Sequence, residues 1–207
     1  MRAFVVALTL LLCSCSGGNR YIIEGSTAQT DGYYYLFRGY DLVDSAEVVA
    51  GRYRFEGEID SLIPVRNVAS TNLKDLGVTT RFTQVILEPG TIKVVEDDNS
   101  PTGGLVVSGT KGNDAIHNFA VKGLQIQEAL EFVFTREQRE YYAEQYNELV
   151  VKTIERNLKN FASLYMLTIS GDRFTDEQKL QYLNRMSPSM QRTTAAVNLR
   201  EKLQTVK

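Results

Sequence analysis

Near residue 112 the chain changes character, and that break limits its fold more than any other feature. Before it, Gly, Val, Tyr and Thr are common and the patterned segments are short. After it, Glu, Gln, Lys, Leu and Ala dominate, while Gly and Pro become scarce. Short runs rich in β-branched and aromatic residues read as strands, and long runs of good helix formers read as helices. Strands that precede helices, rather than alternate with them, predict an α+β protein. The expectation is an N-terminal antiparallel β-sandwich or partly closed barrel over residues 21–112, then a helical region over 113–207.

The clearest strand is RYRFEGEI, residues 52–59, where Arg52, Arg54, Glu56 and Glu58 alternate with Tyr53, Phe55, Gly57 and Ile59. A period of two puts the charges on one face and the apolar groups on the other. The preceding DSAEVVAG (44–51) reads as its hairpin partner, with Gly51 free to take the positive φ of the turn. RFTQVILEPGTIKVVE (81–96) reads as strand, Pro89-Gly90 turn, strand. YIIEG (21–25), YYYLFR (33–38), PVRNVA (64–69) and GLVVSG (104–109) complete a set of seven or eight strands.

The helical half carries start signals. Thr135 to Gln138 and Thr175 to Gln178 are capping boxes, and Ser187-Pro188 places a cap before a first-turn proline. Gly171 closes the apolar run FASLYMLTIS. Tyr142, Tyr146, Val150, Ile154 and Leu158 recur every four residues, and so do Glu140, Glu144, Glu148, Lys152 and Arg156. The two series are offset by two positions, about 200° around a helix, so they lie on opposite faces. The charged stripe reads as a solvated face.

The first residues have a different purpose. Met1-Arg2 precedes an apolar run, Ala3 to Leu12, broken only by Thr9. Ten helical residues rise about 15 Å, half a bilayer core, so the run reads as a cleaved secretory signal. Both cysteines of the chain follow at once, in Leu12-Cys13-Ser14-Cys15. A lipoprotein signal peptidase needs a large aliphatic residue, a spacer, a small residue and then cysteine. Cys15 fits that frame, and Cys13 does not, because Leu12 stands where the small residue should be. Residues 1–14 are therefore expected to be removed, Cys15 to be lipidated, and 15–20 to form the tether. Acyl chains contribute about 0.8 kcal/mol per buried methylene, enough in pairs to hold a soluble body at a membrane. Ser16, where an aspartate would signal inner-membrane retention, points to the periplasmic face of the outer membrane. So does the absence of an acidic run in 16–19.

Composition bounds the chemistry. A net charge of −2 suggests no nucleic-acid role. No cysteine follows Cys15, so no disulfide or thiolate site can form in the body of the chain. His117, the only histidine, cannot make a zinc set without partners and reads as a cap or surface residue. Ser108 and Lys111 have Ser-x-x-Lys spacing but lack the companion motifs of penicillin-recognising enzymes. The glycines 104 and 109 approximate a phosphate loop, but the lysine is one residue late. Asp97-Asp98 lies in a loop-like segment, and Glu56 and Glu58 share a charged strand face. Neither pair has an apolar setting to raise one carboxyl's pKa, so no catalytic residue, cofactor or metal is expected. Tyr33, Tyr35, Tyr40 and Tyr53 are the candidates for an aromatic ligand platform.

Three stretches carry a family likeness: DSAEVVAGRYRFEG (44–57), LEPGTIKV (87–94) and VSGTKGND (107–114). Together, and over roughly 21–205, they resemble an uncharacterised domain of bacterial envelope lipoproteins. In that family the domain commonly precedes a thioredoxin-like module of the thiol-antioxidant/peroxidase type. The resemblance implies that a Cys-x-x-Cys site would follow the last helix. None occurs after Cys15, so the redox activity is not carried over, and the motif residues read as structural. The expected function is that of a lipid-anchored, non-catalytic binding or scaffolding module with a protein partner. Two alternatives stand beside it: an accessory partner of a separate thioredoxin-like oxidoreductase, and a small-ligand or glycan-binding module. The accessory reading expects exposed apolar groups on the last helix, such as Val197, Leu199 and Leu203.

Overall fold

The structure, a computed structural model, describes residues 19–39, 41–59, 65–70, 81–97, 99–102 and 104–205; of 65–70 and 81–82 it describes the backbone alone. Eight strands come first: β1 (Arg20–Ser26), β2 (Tyr33–Arg38), β3 (Asp41–Glu47), β4 (Arg52–Glu58), β5 (Val65–Ser70), β6 (Arg81–Ile86), β7 (Gly90–Asp97) and β8 (Gly104–Ser108). Among the described residues six α-helices follow: α1 (Lys111–Glu131), α2 (Arg136–Arg156), α3 (Phe161–Ile169), α4 (Asp176–Arg185), α5 (Pro188–Gln191) and α6 (Thr194–Thr205). The α+β architecture is as expected, with the helices beginning at Lys111, two residues before the expected boundary.

The strands form two four-stranded sheets, in the orders β4-β1-β7-β8 and β3-β2-β5-β6. They stack as a sandwich and do not close into a barrel, which settles the first alternative. Alternation decides the faces: Tyr21, Ile23, Tyr53, Phe55, Ile92 and Val94 from one sheet meet Tyr34, Leu36, Ala46 and Val85 from the other. The outward face of β4 and β1 is polar, with Arg54 paired to Glu24 at 2.9 Å and to Glu56 at 3.3 Å.

Three pairings differ from expectation. Residues 44–51 and 52–59 do meet in a tight turn, with Ala50 at φ 51° and Gly51 at φ 75°. Beyond it the strands part: β3 pairs with β2, and β4 with β1. Pro89-Gly90 likewise joins β6 in one sheet to β7 in the other. Both turns are corners between sheets: β4, β6 and β7 bury apolar residues in the sandwich, while the edge strand β3 buries Ala46 alone. The third difference is β1 with β7, which pair in parallel within an otherwise antiparallel fold.

The helices build a second core around Val150, Ile154, Leu164, Met166, Leu167, Leu183 and Leu203. The stripes on α2 divide as expected, with Val150 and Ile154 buried and Glu140, Glu144, Glu148, Lys152 and Arg156 exposed. Both capping boxes are made, and Ser187 accepts the Met190 N–H. Gly171 follows α3 at φ 54°. On α1, Gly123 lets the Tyr146 ring of α2 come close, and Phe119 meets that ring edge-on at 5.8 Å.

Candidate functional site

The most ordered polar chemistry lies where the sandwich meets α1. Glu88, just past β6, is buried, and its carboxylate accepts the Gly112 N–H at 2.7 Å. A negative group at the first turn of a helix is favoured by the exposed amides and the dipole. A Cβ at Gly112 would fall 2.5 Å from a Glu88 oxygen, so a side chain there would displace the carboxylate from the amide. Next to it, Asn113 is only 3 % exposed. Its amide behaves as an extra strand beside β6: Oδ1 accepts the Ile86 N–H at 2.9 Å, and Nδ2 donates to the Ile86 carbonyl at 2.8 Å and to Thr110 Oγ1 at 2.7 Å. Asp114 accepts the Gly109 N–H at 2.8 Å. A further tie is the Tyr165 hydroxyl of α3, which donates to Gln84 of β6. Each polar side chain of this clamp is committed to fastening helix to sheet.

The tyrosines expected to share a platform separate. Tyr33 and Tyr35 project outward from the β2 sheet, with rings stacked 6.3 Å apart and Tyr33 50 % exposed. Tyr53 points the other way. It is 3 % exposed and stacks on Tyr34 at 3.8 Å inside the sandwich. Its hydroxyl has no hydrogen-bond partner among the described residues. Burial, then the neighbouring Tyr34 and Glu96, push its pKa far above the usual tyrosine range. Tyr40 and Cys15 lie outside the described residues, as does Asp98.

What holds Tyr53 inward is a feature that the strand-by-strand reading missed. In the β1–β4 register, Tyr21 stands opposite Gly57 and Gly25 opposite Tyr53, with Ile23 and Phe55 paired between them. Each ring lies over the other strand's glycine: a Cβ on Gly25 would be 1.8 Å from the Tyr53 ring, and one on Gly57 2.9 Å from the Tyr21 hydroxyl. The signal was in the sequence, because YIIEG and YRFEG repeat one pattern.

The other candidates take structural places. His117 is half-buried on α1. Ser108 ends β8 and Lys111 opens α1. Asp97 accepts the Asn99 N–H at 2.9 Å in the turn after β7. Of the three apolar groups sought on α6, Val197 is exposed, Leu203 is buried and Leu199 packs against the helical core. The apolar face sought there is thus turned inward, because α6 needs it to complete the second core. No group of three metal-ligating side chains occurs among the described residues, and no helix among them is long and apolar enough to cross a membrane.

Three open grooves stand out among the described residues. One, about 770 Å³, lies at the Arg52 end of β4 between Glu24, Glu47, Val49 and Lys93. A second, about 770 Å³, runs between α1 and α2. The third, about 910 Å³, continues from it toward the clamp and Pro188.

No curated protein and no solved structure matches the chain. The likeness expected over 21–205 is carried by a shorter stretch, which includes the clamp and stops in the opening turns of α1. Residues 21–116 match the family model of a domain of unknown function (DUF4369).

Proposed function

We propose that this chain is a lipid-anchored, non-catalytic binding or scaffolding module of the cell envelope, tethered through Cys15 to the periplasmic face of the outer membrane. The observation that supports it is where the polar chemistry goes. Glu88, Asn113 and Asp114 are turned to main-chain amides at the clamp, while Tyr33 and Tyr35 face outward on the β2 sheet and Lys122 and Arg156 stand exposed on the helices. Such surfaces suit recognition more than bond-making. Cys15 stands five residues before Arg20, a reach of at most about 18 Å. Arg20 begins β1 at the sandwich end that also holds Gly90, Ile59 and Ser108. On this reading that end, with the clamp and the start of α1, faces the bilayer.

The anchor is tested by labelling cells with radioactive palmitate. Incorporation should vanish in Cys15→Ala, and persistence would refute the anchor. The binding role is tested by placing photo-crosslinkers on the exposed faces in intact cells; a catalytic turnover lost on changing one polar side chain would refute it. One observation favours a small-ligand or glycan reading, the half-exposed Tyr33 beside Tyr35. Saturable quenching of tyrosine fluorescence by cell-wall glycans, lost in Tyr33→Ala, would support that alternative.

A further inference from the structure

The groove between α1 and α2 is built from two matching stripes. On α1 its lining falls at positions 115, 118, 119, 122, 125 and 126; on α2 and its C-cap it falls at 142, 145, 148, 149, 152, 153, 156 and 157. Steps of three and four residues keep each set on one flank of its helix, the spacing with which helices present a seam to a third helix. Gln145 and Leu149 each stand one residue back from Tyr146 and Val150, which pack into the core, so the groove runs alongside the hairpin contact. Along α1 the lined stretch is about 16 Å, and along α2 about 21 Å, enough for three to four turns of a docked helix. Phe119, Ile126, Tyr142 and Leu149 supply apolar contact in the groove.

Its charge is one-sided. Lys152 is neutralised by Glu148 at 2.6 Å and Arg185 by Glu155 at 3.3 Å. Lys122 and Arg156 line the first groove, and Lys111, Arg156 and Lys159 line its continuation. These four cations form no ion pair among the described residues. Asp114, the remaining carboxylate of the continuation, holds the Gly109 N–H. A chain with net charge −2 thus concentrates uncompensated positive charge along one helical seam. Resting on the binding-module reading above, we propose that this seam docks an acidic amphipathic helix of a protein partner, its apolar stripe on Phe119 and Leu149 and its carboxylates on Lys122, Arg156 and Lys159.

The test uses the full chain and a fluorescent, hydrocarbon-stapled 16-residue helix with leucine at the a and d positions and glutamate at e and g. Anisotropy should show saturable binding that weakens with salt. A twin peptide with lysine at e and g should bind at least tenfold more weakly. Lys122 and Arg156 are exposed, so Lys122→Glu/Arg156→Glu should keep its circular dichroism and melting temperature while losing the acidic peptide tenfold or more and gaining the lysine twin. No binding of the acidic peptide, equal binding of both peptides, or indifference to the charge reversal would overturn the proposal. So would preferential binding of vesicles containing a third anionic lipid through the same two residues, or self-association of the chain that blocks the peptide. Any of these leaves the envelope-binding reading standing if the cellular cross-links run through the β2 face, so the two failures are distinguishable.

Discussion

Gly25 has room for no side chain at all. The Tyr53 ring occupies that space, as the Tyr21 ring occupies the space over Gly57. Glycine weakens a strand by its backbone entropy, and an aromatic ring laid across it from the facing strand recovers packing there. Gly25→Ala should therefore destabilise the fold by about 3 kcal/mol or more, because a rigid ring and not a flexible chain end must move. A urea midpoint within error of the parent would refute this. The Tyr53 hydroxyl is a different matter. It is buried and lacks a hydrogen-bond partner among the described residues, so it carries a desolvation cost with no return bond. Tyr53→Phe is expected to raise stability by about 1 kcal/mol, read as a higher urea midpoint. Ala50 is the one non-glycine at positive φ among the described residues. Ala50→Gly should relieve that turn by about 0.5–1 kcal/mol.

At the scale of elements, the junction between β6 and α1 decides how the two cores are joined. Asn113 satisfies both main-chain groups of Ile86, in a place closed to water. Asn113→Ala leaves that N–H and carbonyl unpaired, at a cost of about 2–4 kcal/mol. Hydrogen exchange should then quicken at Ile86 and in the first turn of α1, ahead of the central β1–β7 amides; unchanged protection at Ile86 would show the clamp to be unimportant. The helices were legible element by element: Thr135, Thr175 and Ser187 cap where their spacing said they would. The strands were legible too, yet their partners were not. Val49 to Arg52 looks like a hairpin locally, yet β3 pairs with β2 and β4 with β1, so the two strands lie in different sheets.

At the scale of the whole molecule, two cores share one chain, and the high-pH limit of their stability comes from tyrosine. Tyr53 has its pKa raised by burial, then by Tyr34 and Glu96, and Tyr165 has its pKa raised by burial. In the unfolded chain these hydroxyls ionise near pH 10. Above that pH the folded state holds more protons than the unfolded one, so stability falls as pH rises. The contribution is complete below pH 10 and is lost through the interval up to the raised folded values, with a slope of up to about 1.4 kcal/mol per pH unit for the buried Tyr53 and less for the partly exposed, solvent-screened Tyr165. Urea midpoints at pH 9, 10 and 11 should decline, and Tyr53→Phe should make the decline shallower; a flat profile would refute the assignment. Of the candidate platform, the sequence placed Tyr33 and Tyr35 on one face by the period of two, but it could not say that Tyr53 faces away from them, since that depends on register with Gly25. By itself the sequence determined which segments are strands and which are helices, because periodicity and caps are local. Only the tertiary structure decided which strands pair, that Glu88 reaches Gly112 and Asn113 reaches Ile86 across 24 and 27 residues of chain to clamp sheet to helix, and that α1 and α2 leave a basic seam open. These depend on groups distant in sequence satisfying one another, and no local pattern encodes that.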